Sequence, residues 1–193
     1  MLRTVVLSPH PSGFHYPKGL IVTPNPRAAE AFEAKFTSLD RLARKVLQEA
    51  GLLVASEIVA YRTLMQAVAE VIDPQDVPGT TRLLQGAVRE LLRAGLSKPA
   101  RLPGKVAALL ELSARYRALL DAAKLVDPAE VTARAAAMSP ARLVVQVRGY
   151  PRLGWSEFDF LDAIADKGSL LVLPVQASGL FSGNEESAAY LTG

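Results

Sequence analysis

Apolar residues are arranged in two ways along this chain: short unbroken runs near both ends, and helix-spaced stripes between them. The runs lie at 4–7, 20–23, 143–147 and 170–173. Each is rich in β-branched residues or Leu, and most are bounded by Pro or Gly, which predicts strands. Apolarity on consecutive positions implies burial on both faces, the habit of a parallel sheet covered by helices. Ala28, Ala29, Phe32 and Phe36 follow the second run at helical spacing, with Asn25 placed to cap and Pro26 suited to the first turn, so a helix is expected over 26–36. A second is expected over 156–165, where Glu157 and Asp159 favour the positive end of the helix dipole.

The stripes occupy roughly 38–137, interrupted by the turn signals Asp73-Pro74, Val77-Pro78-Gly79, Leu102-Pro103-Gly104 and Asp127-Pro128. Leu83, Leu84, Ala87, Val88, Leu91 and Leu92 form one expected apolar face. Val106, Leu109, Leu110, Ser113, Tyr116, Leu120 and Ala123 form another. The fold class that results is α/β, with a discontinuous lobe at 1–37 and 141–193 and an all-helical insertion at 38–140. After 176 the chain becomes Gly- and Ser-rich, starts a weak helical pattern and stops, which reads as a sheet cut short.

Composition narrows the chemistry more than it identifies it. With 193 residues, half of them apolar, the chain can bury a real core. Its apolar runs fall far short of the about 20 residues that span a bilayer, and residues 1–8 lack a signal peptide's layout, so no membrane partner and a cytoplasmic location are expected. Zero Cys and two His, His10 and His15, exclude thiol nucleophiles and Cys-ligated metal, and leave little for an imidazole site. The net charge is +3, but residues 82–134 hold ten basic against five acidic side chains, and residues 151–193 two against six. Arg82, Arg89 and Arg93, spaced by seven and four, place three guanidinium groups opposite the apolar face, where they could track phosphates or simply be solvated.

Catalytic motifs fail one by one. The stretch from Gly13 to Gly19 is the nearest approach to a phosphate-binding GxxxxGK[ST] loop, but it is one residue short, Pro17 replaces the second Gly and Gly19 replaces the hydroxyl residue. Arg148 stands where a magnesium-holding carboxylate is expected after the third run. Ser8 and Ser12 have no nucleophile elbow and no acid to orient His10 or His15. Asp159, Asp162 and Asp166 fit one exposed helix face, and Trp155, Phe158, Phe160 and Tyr150 could stack bases or fill a core. No catalytic residue, cofactor or metal is expected.

Three stretches, in order, resemble the N-terminal part of AddB-type subunits of the AddAB helicase-nuclease, a family whose first portion is related to UvrD/Rep superfamily 1 helicases. Residues 21–29, IVTPNPRAA, look like the strand and turn with which such helicases contact single-stranded DNA, and 38–43, SLDRLA, is similar to the family's [ST]-[FL]-x-x-L-A segment. Gly95-Leu96, Tyr116 to Leu120 and Leu125-Val126-Asp127 resemble the AddB helical insertion. Residues 145–158 resemble V-x-V-D-G-F-x-x-F-T-x-x-E, with Arg148 in place of the Asp. The resemblance implies a partial RecA-like (P-loop NTPase-type) sheet that has lost its ATPase residues. It further implies a parent exonuclease or helicase subunit with its nuclease centre downstream, and a partner of AddA type.

Two functions follow as expectations. In the first, the chain is a non-catalytic helicase-like domain in DNA double-strand-break repair, binding single- or double-stranded DNA or helping assemble the complex. Thr23, Asn25, Arg27, Thr37, Ser38 and Arg41 would then hold phosphates, with Arg82, Arg89 and Arg93 as secondary contacts. Turn and helix capping is the competing role for the hydroxyl and amide residues. In the second, the chain is a protein–protein scaffold with no nucleic-acid binding of its own.

Overall fold

The computed structural model describes residues 5–8, 19–24, 36–95 and 104–174. In chain order the elements are β1 (Val5–Ser8), β2 (Leu20–Val22), β3 (Phe36–Thr37), α1 (Leu39–Glu49), β4 (Leu53–Val54), α2 (Glu57–Val71), α3 (Val77–Arg93), α4 (Gly104–Ala122) and β5 (Leu125–Val126). A 3-10 turn at Pro128–Glu130 leads into α5 (Val131–Ala137), followed by β6 (Val145–Val147), α6 (Trp155–Ile164) and β7 (Leu170–Pro174). Both β1 and β2 fall on expected strands. Leu143, the first residue of the third run, makes only an isolated bridge to Ala165 ahead of β6. The expected helix over 26–36 lies mostly outside the described residues, but its last position, Phe36, is in β3.

Five strands pair in parallel in the order β1-β7-β6-β2-β3. Alternation sends Val22, Val145, Val147, Leu171 and Leu173 to one face, where they pack with Leu39, Leu42 and Leu47 of α1, Val131 and Ala135 of α5, and Phe158, Phe160, Leu161 and Ile164 of α6. Ile21, Gln146, Leu170 and Val172 alternate with these residues and are also buried. The consecutive burial that the unbroken runs imply is present at 21–23, 145–147 and 170–173, whereas Leu143 and Val144 at the head of the third run are exposed.

A second core joins α2, α3 and α4 through Ala60, Leu64, Val68, Val88, Leu92, Leu112, Tyr116 and Leu120. The helical stretch 38–140 thus divides, because α1 and α5 belong to the sheet's core. The excursion leaves and returns side by side: β4 and β5 form a parallel pair, Leu53 opposite Leu125 and Val54 opposite Val126.

Sequence signals set most helix starts. Ser38, Ser56 and Asp76 each accept a backbone N–H of the first turn, from Arg41, Val59 and Gly79. Pro78 occupies the first turn of α3, so Val77-Pro78-Gly79 begins that helix instead of interrupting one. The phase of α3 differs from expectation. Its buried stripe is Thr81, Val88 and Leu92, while Leu83 is 84% exposed and Ala87 is exposed. Leu83 lies five residues before Val88, about 140° round the helix, and packing against α2 and α4 selects the stripe that contains Val88. On α4, Val106 is likewise exposed, as is Ala123 just past the helix end, whereas Leu110, Ser113, Tyr116 and Leu120 are buried as expected. Among the described residues, no helix is long and apolar enough to cross a membrane.

Candidate nucleic-acid interface

The sheet order creates a crevice. From β2 the chain proceeds to β3 on one side, and from β6 it proceeds to β7 on the other, although β2 and β6 are neighbours. Connections that diverge from adjacent parallel strands leave a gap at their carboxyl ends, the usual ligand position in open α/β sheets. Thr23 follows β2, Arg148 follows β6, and Thr37 and Ser38 end β3 and begin α1. The Arg148 N–H donates to the Val22 carbonyl at 2.9 Å, and the Thr23 N–H to the Thr37 carbonyl at 2.9 Å, which fixes the three strand ends together.

The amino end of α1 is tied down at the same place. Ser38 Oγ accepts the Arg41 N–H at 3.2 Å, and the Tyr150 hydroxyl accepts the buried Leu39 N–H at 3.0 Å. Burial, partly offset by that bond, raises the Tyr150 pKa. Beside this end is a hollow of ≈ 310 Å³ lined by Thr23, Pro24, Phe36, Thr37, Ser38, Asp40 and Arg41. Four residues singled out from the sequence, Thr23, Thr37, Ser38 and Arg41, therefore share one site. Asn25 and Arg27 lie outside the described residues.

Two features bias the hollow toward an anion. The first turn of the 11-residue α1 brings the positive end of its dipole there. Thr23 is 1% exposed, and its buried Oγ1 has no hydrogen-bond partner among the described residues. Burying an unsatisfied hydroxyl costs about 1–3 kcal/mol, which an incoming acceptor would relieve. Arg41 is exposed at the rim, while Asp40 is engaged by Arg44 at 2.8 Å. Ser38 does cap its helix, yet capping leaves one of its lone pairs and its hydroxyl proton for a ligand.

Deeper in the crevice, Arg148 is 3% exposed and donates to Gln146 Oε1 at 3.2 Å. Burial lowers its pKa. A fixed cation thus occupies the position where the sequence resemblance places a carboxylate. Among the described residues no cluster of three or more His, Asp or Glu side chains could hold a metal ion. Asp159, Asp162 and Asp166 are exposed, whereas His10, Ser12 and His15 lie outside the described residues.

The arginine stripe on α3 is not the open row that its spacing suggests. Arg89 sits beside the buried stripe, not opposite it, donating to Glu57 Oε2 at 2.5 Å and lying 3.9 Å from Asp127, which is 1% exposed. Burial would lower the Arg89 pKa, but Glu57 and Asp127 outweigh it and hold the value above the ordinary one. Arg93 pairs with Glu90. Arg82 alone of the three is exposed without a carboxylate among its described neighbours. Three further arginines of the basic middle are paired: Arg115 with Glu70, Arg117 with Glu130 and Arg134 with Asp121. Among the described residues, five arginines of 82–134 are thus paired within the fold, Arg89 and Arg115 by Glu57 and Glu70 from outside the stretch, and the others by acids of the stretch itself.

Sequence reasoning missed the part played by Tyr150, whose bond to Leu39 crosses 111 residues and leaves no local signature. It also missed Asp40 and Phe36 as walls of the hollow. No family model matches the chain, and no curated protein matches it.

Proposed function

We propose that this chain is a non-catalytic, helicase-like domain that holds a DNA strand at the carboxyl edge of its parallel sheet. The observation that carries the reading is the hollow beside α1, where Thr23, Thr37, Ser38 and Arg41 converge on a helix amino end and the Thr23 hydroxyl is buried without a hydrogen-bond partner among the described residues. Hydroxyls, backbone amides and one guanidinium are the groups that fix phosphate oxygens without reading base sequence. Arg27 and Asn25, two to four residues beyond Thr23, are assigned to the same strand. The role of Arg82, Arg89 and Arg93 is smaller in this reading, since two of them are already paired.

The resemblance to AddB-type subunits supplies the setting: a RecA-like lobe in a cytoplasmic helicase-nuclease for double-strand-break repair, working beside a subunit of AddA type. No ATP hydrolysis or strand cleavage is assigned to this chain. The test is fluorescence anisotropy of a labelled single-stranded oligonucleotide with the wild type and with Arg41→Ala. Salt-sensitive binding that weakens in the variant supports the proposal, and wild-type affinity in the variant contradicts it.

A second reading, the protein–protein scaffold, is favoured by one observation. Ile58 on α2 and Leu83 on α3 are 70% and 84% exposed, and a shallow groove beside Ile58 is lined by Tyr61 and Met65. Exposed apolar side chains on two packed helices suit a docking face for a partner subunit. A stable complex with that subunit, lost in Ile58→Glu or Leu83→Glu with DNA affinity unchanged, would establish this role separately.

A further inference from the structure

Four aromatic residues lie between 150 and 160, and the fold treats one of them differently. Tyr150, Phe158 and Phe160 are 8%, 3% and 0% exposed, whereas Trp155 is 64% exposed. Three of the four are accounted for as core. Trp155, the chain's single tryptophan, opens α6. Its ring meets that of Phe158 edge to face, with centroids 6.4 Å apart and planes at 62°. The indole is therefore steadied by a core side chain while much of its surface stays accessible.

Trp155 forms part of a cleft of ≈ 540 Å³ between the two cores, opposite Arg89, Glu90 and Arg93 of α3 and Glu57 of α2. The cleft mixes apolar and charged walls and is not cationic. Glu57 and Glu90 pair with the two arginines, and Glu157 accepts the Gly154 N–H at 2.7 Å. Three carboxylates against two guanidinium groups make a poor seat for phosphate. A neutral, planar heterocycle carrying donors and acceptors on its edge suits both the flat indole and the mixed walls.

The cleft also lies within reach of the anion-biased hollow. Tyr150 is bonded to the start of α1, and the five residues from there to Trp155 span at most about 18 Å. Both helix amino ends follow strands of one parallel sheet, so both sites belong to its carboxyl edge.

We infer that Trp155 is a stacking platform for a nucleobase of the strand whose phosphates are held beside Ser38, an inference that rests on the DNA-binding reading above. The strand divides its chemistry between the two places: its charge is met at the hollow, and a base turns into the cleft. Stacking of this kind is tolerant of sequence because every base has a π face.

The single tryptophan makes the test direct, since all indole emission comes from this site. The wild-type chain is titrated with a single-stranded oligonucleotide, with an abasic oligomer of equal length and with a free mononucleotide. Binding is followed in parallel by anisotropy of labelled oligomers. The expected result is that the normal oligonucleotide quenches the emission, whereas the abasic one binds more weakly and leaves it unchanged. Trp155→Ala should weaken binding of the normal oligonucleotide about tenfold and leave the abasic one unaffected, and Trp155→Phe should restore most of the loss.

Unchanged emission with a normal oligonucleotide that anisotropy shows to be bound overturns the inference and leaves the DNA-binding reading standing. Equal affinity in wild type and Trp155→Ala does the same. Quenching by the mononucleotide but not by the oligonucleotide overturns it in favour of a small-molecule site. Absence of binding by every oligomer removes the DNA-binding reading, and this inference with it.

Discussion

The hydroxyl of Tyr150 accepts the backbone N–H of Leu39 at 3.0 Å, joining the loop after β6 to the first turn of α1 across 111 residues of chain. Neither group has access to bulk water, so the bond fixes how α1 sits against the carboxyl edge of the sheet. Tyr150→Phe keeps the ring in the core and leaves the amide unsatisfied. We expect a loss of about 1–3 kcal/mol, read as a lower urea midpoint with an unchanged slope.

Thr23 offers the opposite case, a hydroxyl buried without a hydrogen-bond partner among the described residues. Thr23→Val is nearly isosteric and removes the unsatisfied group. If the hydroxyl is kept for a phosphate, the variant gains roughly 1 kcal/mol of stability and loses roughly tenfold in DNA affinity. Paired denaturation and anisotropy measurements check both signs together. A variant that loses stability would show that the hydroxyl has a structural role.

Arg82 and Arg89 look equivalent in the sequence and are not equivalent in the fold. Arg89 bridges Glu57 on α2 and the buried Asp127, whereas Arg82 is exposed. Arg89→Ala should cost roughly 1–2 kcal/mol by thermal or urea unfolding, because it removes a charge-assisted bond at a half-buried site. Arg82→Ala should stay within about 0.5 kcal/mol of wild type.

The second core carries an alkaline limit. Tyr116, 1% exposed, donates to Asp127 Oδ2 at 2.5 Å. Burial, reinforced by that bond and by the carboxylate's charge, raises its pKa far above 10.0. In the unfolded chain the phenol ionises near pH 10, so its stabilising contribution is complete below that pH. The contribution is lost as the pH rises from there toward the folded-state pKa. Stability should therefore fall by about 1.4 kcal/mol per pH unit for this group above about pH 10. Tyr116→Phe should flatten that slope, with Tyr150, whose pKa is also raised by burial, supplying what remains.

How much of this was legible in the sequence depends on the range of each interaction. The parallel sheet was readable because its strands are unbroken apolar runs. β3, β4 and β5 are two residues each, too short for any period, and exist only because a neighbouring strand pairs with them. Helix starts at Ser38, Ser56 and Asp76 follow local capping chemistry. The phase of α3 does not, since two rotations of it offer apolar stripes and tertiary packing chooses between them.

The candidate site divides in the same way. Thr23, Thr37, Ser38 and Arg41 come from the two turns that resemble helicase DNA contacts, and strand order then gathers them. The arginine stripe misled chiefly at Arg89, whose partners Glu57 and Asp127 lie 32 and 38 residues away; Glu70, 45 residues from Arg115, is a like case outside the stripe. Local charge counting has no access to such pairs.

The central claim is that the carboxyl edge beside α1 holds DNA phosphate. Its most direct test is the salt dependence of single-stranded oligonucleotide binding, by anisotropy, for wild type and for Arg27→Ala with Arg41→Ala. We predict measurable affinity at low salt, a linear fall of log affinity with log salt, and a slope smaller by about one for each arginine removed. No binding at low salt, or a double variant with the wild-type affinity and slope, would contradict the account.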